Sequence, residues 1–422
     1  MDKQSLTLYY GGFLLNACFP LNLSLNVCSH SCPFCFANLN EPDRKAHPRQ
    51  ALRMIQNRYW ANTLEGHLLK TKYPVVFSNH VDPFAGSNLA YSLPLIKAMV
   101  KMDVPMSLQT KGGHGLLKPF KTYPAALDML DGRPTVFYVS LETLDDGIGA
   151  ISAPGAFRPT QRLEMIAEVI ARGHRVCVGV NPVVPQWIPD PQSMVKTLAA
   201  LGVEGIWVQA LHLSHKQIAK MPDRDKAKLG PEILDQAIPR NHAKYPAIAE
   251  TIAALRHYAA VEGIAAYDSQ QGERSDYFTP YKETYPQRYP LMQDFVNWAW
   301  DTLADGDLIY YETWRDQVLP WLPEGVWPIG QHIGAVAGPR FWSAARHEGI
   351  TNKMSYEQLL GYIWGYKESV YCPVNVACFA WAGDYEKQAD GTMGWSQWLD
   401  SNQRPILVFT PESSELWSQQ YL

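Results

Sequence analysis

The strongest constraint on the fold is a regular alternation of short apolar runs with amphipathic stretches between about residues 20 and 265. The runs are rich in Val, Ile, Phe and Tyr and are too short for helices, which predicts strands at 21–27, 74–78, 105–110, 135–141, 175–180 and 205–210. Between them, Leu163, Ile166, Ala167 and Ile170 follow the i, i+3, i+4, i+7 spacing of an amphipathic helix. The predicted helices are 50–70, 88–101, 159–173, 191–201 and 244–262.

Six strand–helix units in series predict an α/β fold in which a parallel sheet curls into a full or partial TIM-type barrel. In such folds the chemistry gathers in the loops at the carboxyl ends of the strands. We therefore expect a core over residues 1–265, with a polar, exposed insertion near 212–241. Residues 266–422 are expected to form a C-terminal, tryptophan-rich cap or substrate region.

The predicted cap differs from the core in composition. It holds 11 of the 14 tryptophans and carries 10 Lys and Arg against 20 Asp and Glu. Neither part shows the dense basic stripe that is typical of nucleic-acid-binding proteins. The tryptophans fit two interpretations: a hydrophobic core with a few tryptophans at its rim, or a surface that stacks nucleobases or an aromatic substrate.

The cysteine content argues against a secreted protein. Seven cysteines in 422 residues are too sparse for a disulfide scaffold, and the amino-terminal stretch lacks a clean signal-peptide core. No apolar run approaches the ~18 residues that a membrane span needs. We expect a soluble, cytoplasmic protein without membrane contact.

Three of the cysteines, Cys28, Cys32 and Cys35, lie in one loop directly after the first predicted strand, with the spacing C-x3-C-x2-C. Thiolates hold iron–sulfur clusters, and a cluster of four irons normally takes four of them. Three ligands leave one coordination position open for chemistry. In the same way, catalytic zinc sites keep an open position, whereas structural zinc sites have four protein ligands. Two alternatives remain: a zinc site completed by His30 or by a distant ligand, and three thiols that bind nothing.

The loop "CSHSCPFC" at the end of the first strand of such a series resembles the radical SAM superfamily. The resemblance implies a [4Fe–4S] cluster on Cys28, Cys32 and Cys35, with S-adenosylmethionine (SAM) chelating the fourth iron. It also implies that reduction of the cluster cleaves SAM to methionine and a 5′-deoxyadenosyl radical, which abstracts hydrogen from a substrate.

Later motifs resemble the spore photoproduct lyase-like branch of that superfamily over roughly residues 20–212: "VVFSNHVDPF", "SLQTKGG" and "YVSLETLDDGIGAISAPGAFRPTQRLE". The chain departs from the branch in two places. It reads N-H-V-D-P where a Thr is expected before the Asp, and it has Phe77-Ser78-Asn79 where the lyases proper carry a hydrogen-donating cysteine. Repair of thymine dimers by the lyase mechanism is therefore not expected.

The resemblance also implies which residues bind SAM. Ser140 and Glu142 are expected to face the ribose, and Arg162 is expected to hold the carboxylate as a fork. The adenine is expected to meet Asn181, Pro182 and Val183, taken to follow the fifth strand, and Gln209 and Ala210 at the end of the sixth. Substrate or cofactor contacts are further expected from Gln109 and Lys111 after the third strand and from Asp82, whose alternative role is to shape its own loop.

The remaining cysteines and two histidines can each be interpreted as structural or as functional residues. Cys372 and Cys378 fit buried apolar thiols better than ligands of an auxiliary cluster, and Cys18 and Cys177 fit a core. His212 and His215 follow the sixth strand, as acid–base groups or as part of a solvated loop.

The sequence thus predicts a radical SAM enzyme whose substrate is left open between nucleic acid, a peptide and a small metabolite. A flavodoxin- or ferredoxin-type protein is the expected electron donor, and the oligomeric state is not indicated. Two other classes stay in view: a zinc-binding interaction protein and a nucleic-acid-binding module without catalysis.

Overall fold

The computed structural model describes residues 7–9, 21–25, 28–35, 48–77, 81–267, 279–285, 291–322, 324–327, 353–365, 372–375 and 378–411. Its main sheet has eight strands in chain order: β1 (Thr7–Tyr9), β2 (Leu21–Ser24), β3 (Val75–Phe77), β4 (Met106–Thr110), β5 (Val136–Ser140), β6 (Arg175–Val183), β7 (Gly205–Ala210) and β8 (Ala265–Tyr267). Strands β2 to β8 are parallel, and β1 pairs antiparallel with β2. Among the described strands β8 does not pair with β1, so the barrel is partial, as predicted.

The helices between these strands are α1 (Pro48–Trp60), α2 (Leu64–Lys70), α3 (Leu89–Lys101), α4 (His114–Leu117), α5 (Ala126–Leu130), α6 (Asp146–Ser152), α7 (Pro159–Ala171), α8 (Pro191–Ala200), α9 (His215–Lys220), α10 (Asp223–Gln236) and α11 (Pro246–Glu262). The helix predicted over 50–70 is in fact two, because Thr63 caps a new helix by accepting a hydrogen bond from Gly66 N. None of the described helices combines the length and apolar composition needed to cross a membrane.

All six predicted strands are present, and two further strands extend the sheet at its edges. Strand β6 is longer than predicted and runs through Val183, with an irregularity against β7 between Val180 and Val183. Asn181, Pro182 and Val183 therefore lie inside this strand, and the expectation that they follow it is wrong. Residues 26, 27 and 78, at the ends of two predicted strands, lie outside the described residues, as does Cys18.

Alternate residues of the strands face two different cores. On β3, Val75 and Phe77 pack in the large cluster that includes residues of the surrounding helices, whereas Val76 joins a second cluster. That second cluster lies inside the barrel and contains Val76, Val136, Tyr138, Cys177, Trp207, Tyr281 and Tyr285. Cys177 is fully buried there, as predicted.

The amino-terminal end of the barrel is filled by α12 (Thr279–Thr284) and the residue after it. The Tyr281 hydroxyl donates to Pro74 O at 3.3 Å, and the Tyr285 hydroxyl lies 3.0 Å from both Met106 O and Pro134 O. These carbonyls lie at the starts of β3, β4 and β5, where the hydrogen bonds between strands do not satisfy every backbone oxygen. The barrel is therefore filled at this end, opposite the cysteine loop.

The later elements are α13 (Leu291–Thr302), β9 (Leu308–Ile309), α14 (Tyr311–Val318), α15 (Tyr356–Trp364), β10 (Phe379–Trp381), β11 (Gly383–Lys387), β12 (Met393–Gln397) and β13 (Leu407–Phe409). β10, β13 and β9 form a small antiparallel sheet, and β11 and β12 form a hairpin. Trp314 and Trp364 pack in the core, with ring centroids 5.2 Å apart, while Trp395 and Trp398 are exposed. These four residues fit the interpretation of a core with rim tryptophans.

His174, just before β6, makes stability depend on pH. The side chain is buried against Phe137, and burial lowers the pKa of His174 below its ordinary value although Asp131 opposes the shift. The folded protein then binds fewer protons than the unfolded chain, so protonation favours unfolding. We expect the free energy of unfolding to fall as the pH drops below about 6.5, and His174→Gln to make that fall shallower by no more than about 1.4 kcal/mol per pH unit.

Urea titrations at about pH 7.5 and about pH 5.5 measure this difference. His215→Gln, at an exposed position on α9, is the matched control and should keep the wild-type slope. An unchanged slope in His174→Gln would contradict the prediction.

Candidate functional site

The three-cysteine loop follows β2 and lies at the carboxyl end of the barrel. Cys28, Cys32 and Cys35 are half-buried, and the Cys35 amide donates to Cys32 O at 3.1 Å, so the second half of the loop is a tight turn around buried Pro33. All three cysteines line one cavity. The loop thus presents three thiols to a shared space.

Burial makes the thiols of Cys28 and Cys32 poor anions in the absence of a positive partner. It raises the pKa of Cys28 to about 12, with Asp82 adding to the rise. Burial also raises the pKa of Cys32 far above its ordinary value, against the opposing effect of the Lys111 ammonium. A metal centre supplies the missing positive charge and deprotonates its thiol ligands. Cys28 and Cys32 therefore fit ligands of an iron–sulfur cluster better than reactive free thiols, and among the described residues no three such side chains surround a single metal ion.

His30 lies between the first two cysteines and is buried, with 1% of its surface exposed. Its Nδ1 lies 2.9 Å from Gly155 O, and its Nε2 lies 3.0 Å from Asp82 Oδ2. Each ring nitrogen therefore has a protein oxygen from outside the cysteine loop within 3.0 Å, where a metal ion would have to lie if His30 were a ligand. The alternative in which His30 completes a zinc site does not agree with this geometry.

Asp82 anchors the loop that follows β3. Its carboxylate accepts hydrogen bonds from Phe84 N at 2.8 Å, from Thr110 Oγ1 at 2.9 Å and from Lys111 N, besides facing His30. Burial raises the pKa of Asp82, but His30 and these donors outweigh burial and hold the pKa below its ordinary value. The carboxylate is thus an ionised structural centre, in line with the interpretation that it shapes its own loop.

The cavity has a volume of about 440 Å³, within the range of small-molecule sites. Its walls come from the cysteine loop and from the carboxyl ends of β4 to β7, as the barrel fold predicts. The lining residues are Cys28, His30, Cys32, Phe34, Cys35, Val81, Asp82, Gln109, Thr110, Lys111, Ser140, Asn181, Pro182, Trp207, Gln209, Ala210, Leu211, His212 and Gln217.

Behind this wall lies a buried group of charges centred on Glu142. Lys111 Nζ and Arg162 Nη1 each donate to Glu142 Oε2 at 2.7 Å, and Ser152 Oγ donates to Oε1. Burial disfavours the Glu142 anion, but the two cations overcome it and lower the pKa of Glu142 far below its ordinary value. Arg162 also donates to Phe157 O, and its Nη2 has no hydrogen-bond partner among the described residues.

Most residues expected to bind SAM or substrate line the cavity: Ser140, Asn181, Pro182, Gln209, Ala210, Gln109, Lys111 and Asp82. Asn181 Nδ2 donates to Gln209 Oε1 at 3.1 Å, so two of them form a pair. Glu142, Arg162 and Val183 are buried and are not among the lining residues. The expected roles of all these residues toward SAM stay predictions.

Sequence reasoning missed five of the lining residues: Val81, Thr110, Trp207, Leu211 and Gln217. Trp207 could have been found, because it lies two residues before Gln209 on β7 and residues two apart share one face of a strand. His212 lines the cavity, whereas His215 begins α9 on the surface.

Cys372 and Cys378 are fully buried, and burial raises the pKa of each to about 12. Cys372 Sγ contacts Trp364 O at 3.1 Å. These positions agree with the interpretation as buried thiols. Among the described residues, no three His, Cys, Asp or Glu side chains are arranged around a single metal ion.

Comparison with known proteins finds two curated relatives from viruses. A "Radical SAM Nalpha-GlyT isomerase" of Pseudomonas phage M6 is 24% identical over 211 residues, which are 49% of this chain and 42% of the phage protein. An "Uncharacterized protein ORF301" of Acidianus two-tailed virus is 23% identical over 209 residues, 46% of this chain and 66% of the viral protein. The chain thus spans less than two thirds of both relatives. No protein-family model matches the chain.

Among solved structures, Streptococcus suis SuiB bound to S-adenosylmethionine aligns with a TM-score of 0.36 and 13% identity, over 61% of this chain and 48% of SuiB. SuiB bound to the precursor peptide SuiA aligns with a TM-score of 0.36 and 14% identity, over 63% of this chain and 52% of SuiB. The phage relative, together with the cysteine loop, supports a place for this chain in the radical SAM superfamily of enzymes.

The buried charge group predicts a large effect of Glu142→Gln. The substitution keeps the shape of the side chain but leaves Lys111 and Arg162 buried without their shared anion. We expect the free energy of unfolding to fall by about 3–5 kcal/mol in urea titrations.

Glu168→Gln, which breaks the exposed pair with Arg172 on α7, is the matched control and should cost about 0–1 kcal/mol. Equal losses in the two variants would contradict a special role for the buried group.

Proposed function

We propose that this chain is a radical SAM enzyme in which Cys28, Cys32 and Cys35 hold a [4Fe–4S] cluster. The observation that carries the proposal is that three thiols of one loop line a single cavity at the carboxyl end of the barrel, while the nearby His30 is engaged by two other acceptors. A cluster held by three cysteines keeps one iron open for the cofactor.

When bound, the cluster and SAM supply a reductive cleavage of the sulfonium that yields a carbon radical able to abstract hydrogen from substrate. The chain's own residues bind, orient and shield. Phe34 packs near Trp187, with ring centroids 5.8 Å apart, and Lys111 Nζ lies 5.8 Å from the Phe34 ring centroid. These contacts place an apolar and a cationic group beside the cysteine loop.

We assign the cofactor contacts to the cavity wall and to the charge group behind it. Asn181 Nδ2 donates to Gln209 Oε1, so Asn181 Oδ1 and Gln209 Nε2 remain as an acceptor and a donor for the polar edge of a ligand. Ser140 and Glu142 are proposed for the ribose side, and Val183 supports Asn181 from within β6. Arg162, whose Nη2 has no hydrogen-bond partner among the described residues, is proposed for the SAM carboxylate; because it is not a lining residue, this contact requires the wall in front of it to rearrange.

The substrate stays open between nucleic acid, a peptide and a small metabolite. The phage relative is named as an isomerase, and we propose isomerisation as the first reaction type to test, since it changes neither the composition nor the oxidation level of the substrate. Gln109, Lys111 and His212 are the lining residues proposed to face substrate. A flavodoxin- or ferredoxin-type electron donor is part of the proposal.

The central test is anaerobic reconstitution with iron and sulfide, followed by reduction with dithionite in the presence of SAM. We expect a brown protein that produces 5′-deoxyadenosine. Cys32→Ala should lower both the iron content and the production of 5′-deoxyadenosine by more than about 10²-fold, because losing a residue that merely supports a ligand already costs about 10–100-fold in metal affinity or activity. Cys378→Ala is the matched control and should match wild type, because that thiol is buried and is not among the residues that line the cavity.

Protein that takes up zinc but never iron under these conditions would favour the zinc-binding interaction protein instead. Steeply salt-dependent binding of nucleic acid with no SAM turnover would favour the non-catalytic module.

The Asn181–Gln209 pair gives a second prediction. Gln209→Leu removes a donor from the cavity wall and leaves Asn181 Nδ2 unsatisfied. We expect SAM affinity, measured by calorimetry on cluster-loaded protein, to weaken by about 1–3 kcal/mol. Gln192→Leu, at an exposed position on α8, should leave the affinity unchanged. Unchanged affinity in Gln209→Leu would remove this pair from the cofactor site.

A further inference from the structure

His30 lies inside the cysteine loop, and both of its ring nitrogens face groups outside that loop. We infer that His30 is a positioning residue that fixes Cys28 and Cys32 toward the cluster without ligating it. This inference rests on the proposed function. Four observations carry it: the residue's burial, its two acceptors, the rigidity of those acceptors, and the close approach of Gly155.

The two acceptors come from two different loops. Asp82 belongs to the loop after β3, and Gly155 belongs to the loop between α6 and α7. The Nε2 to Asp82 Oδ2 distance is 3.0 Å, and the Nδ1 to Gly155 O distance is 2.9 Å. One imidazole therefore connects three loops that are distant in sequence. Since it is buried, water cannot replace either contact at little cost.

The Asp82 carboxylate cannot follow His30 if the cysteine loop moves. It is fixed by Phe84 N on its own loop and by Thr110 Oγ1 and Lys111 N at the end of β4, and Asn88 Nδ2 donates to its backbone carbonyl at 2.7 Å. These contacts hold the carboxylate on the barrel scaffold. His30 Nε2, 3.0 Å from Asp82 Oδ2, therefore lies against a carboxylate that is itself fixed to the strands of the barrel.

Gly155 holds the loop from the other side. Its amide donates to His30 O at 2.9 Å, so the ring contact and this backbone bond join the same two residues twice. A Cβ built on Gly155 would lie 2.2 Å from Ser29 O, so the two backbones are too close for any other residue. Ser29 and Ser87 add a reciprocal pair of hydrogen bonds at 3.1 Å, but these are exposed.

His30 is two residues from Cys28 and two from Cys32, so its fixed position restricts where both thiols point. Residues that hold the ligands of a metal site in place act in this way, and their loss typically costs about 10–100-fold in metal affinity or activity. In this protein the orienting contact acts through the backbone of the loop instead of through a ligand's own ring.

Four variants test the inference. His30→Ala removes both contacts. His30→Gln places an amide nitrogen near the position of Nε2 and keeps a donor for Asp82, whereas His30→Asn places one near Nδ1 and keeps a donor for Gly155. Ser31→Ala is the matched control, since Ser31 is exposed in the same loop and its hydroxyl makes only a 3.4 Å contact with Ser29 O.

The measurements are the electron paramagnetic resonance spectrum of the reduced cluster, with and without SAM, and the rate at which an iron chelator bleaches the reconstituted protein. We expect His30→Ala to lose its cluster about 10–100-fold faster than wild type and to show an altered spectrum. His30→Gln and His30→Asn should fall between Ala and wild type, and Ser31→Ala should match wild type. If His30→Ala does not fold, the Gln and Asn variants decide, and their ranking shows which acceptor matters more.

A wild-type protein that forms no cluster would end the proposed function. A wild-type cluster that forms normally, with the same spectrum and bleaching rate in the folded His30 variants, would overturn the positioning role while leaving the proposed function in place.

Discussion

The carboxyl end of this barrel depends on the burial of one ionised carboxylate. Asp82 can be buried at low cost only because donors from its own loop, from Thr110 and from Lys111 surround it, with His30 completing the set. These groups come from three parts of the barrel's mouth: the loop after β3, the end of β4 and the cysteine loop. Removing any of them leaves charge unsatisfied, so the energetics of one side chain fix the relative positions of several loops.

Lys111 links this centre to a second one. Its backbone amide serves Asp82, and its ammonium serves Glu142, which also holds Arg162 of α7. The cysteine loop, the end of β4 and helix α7 are therefore connected through two carboxylates and one lysine. Such a network stabilises a unique arrangement only when every polar group in it has its hydrogen-bond partners. The positions that these partners require determine the shape of the cavity.

The sequence was sufficient for the strand series and the cysteine loop, because period-two and period-3.6 patterns and ligand spacing are local signals. It was not sufficient for Glu142 and Arg162, whose mutual pairing depends on how β5 meets α7. The same holds for His30, which shows no periodic signal and whose two acceptors lie 52 and 125 residues away in the chain. Strand β6 was predicted to end at residue 180, whereas the structure continues it to Val183 through an irregular pairing with β7 that leaves no periodic signal in the sequence.

Tyr281 of α12 and Tyr285 just after it restrict access to the cavity. They fill the amino-terminal end of the barrel, so among the described residues the cavity faces the carboxyl end, where the cysteine loop lies. Under the proposed function, SAM and substrate would both approach from that side, so the first to bind would restrict access for the second.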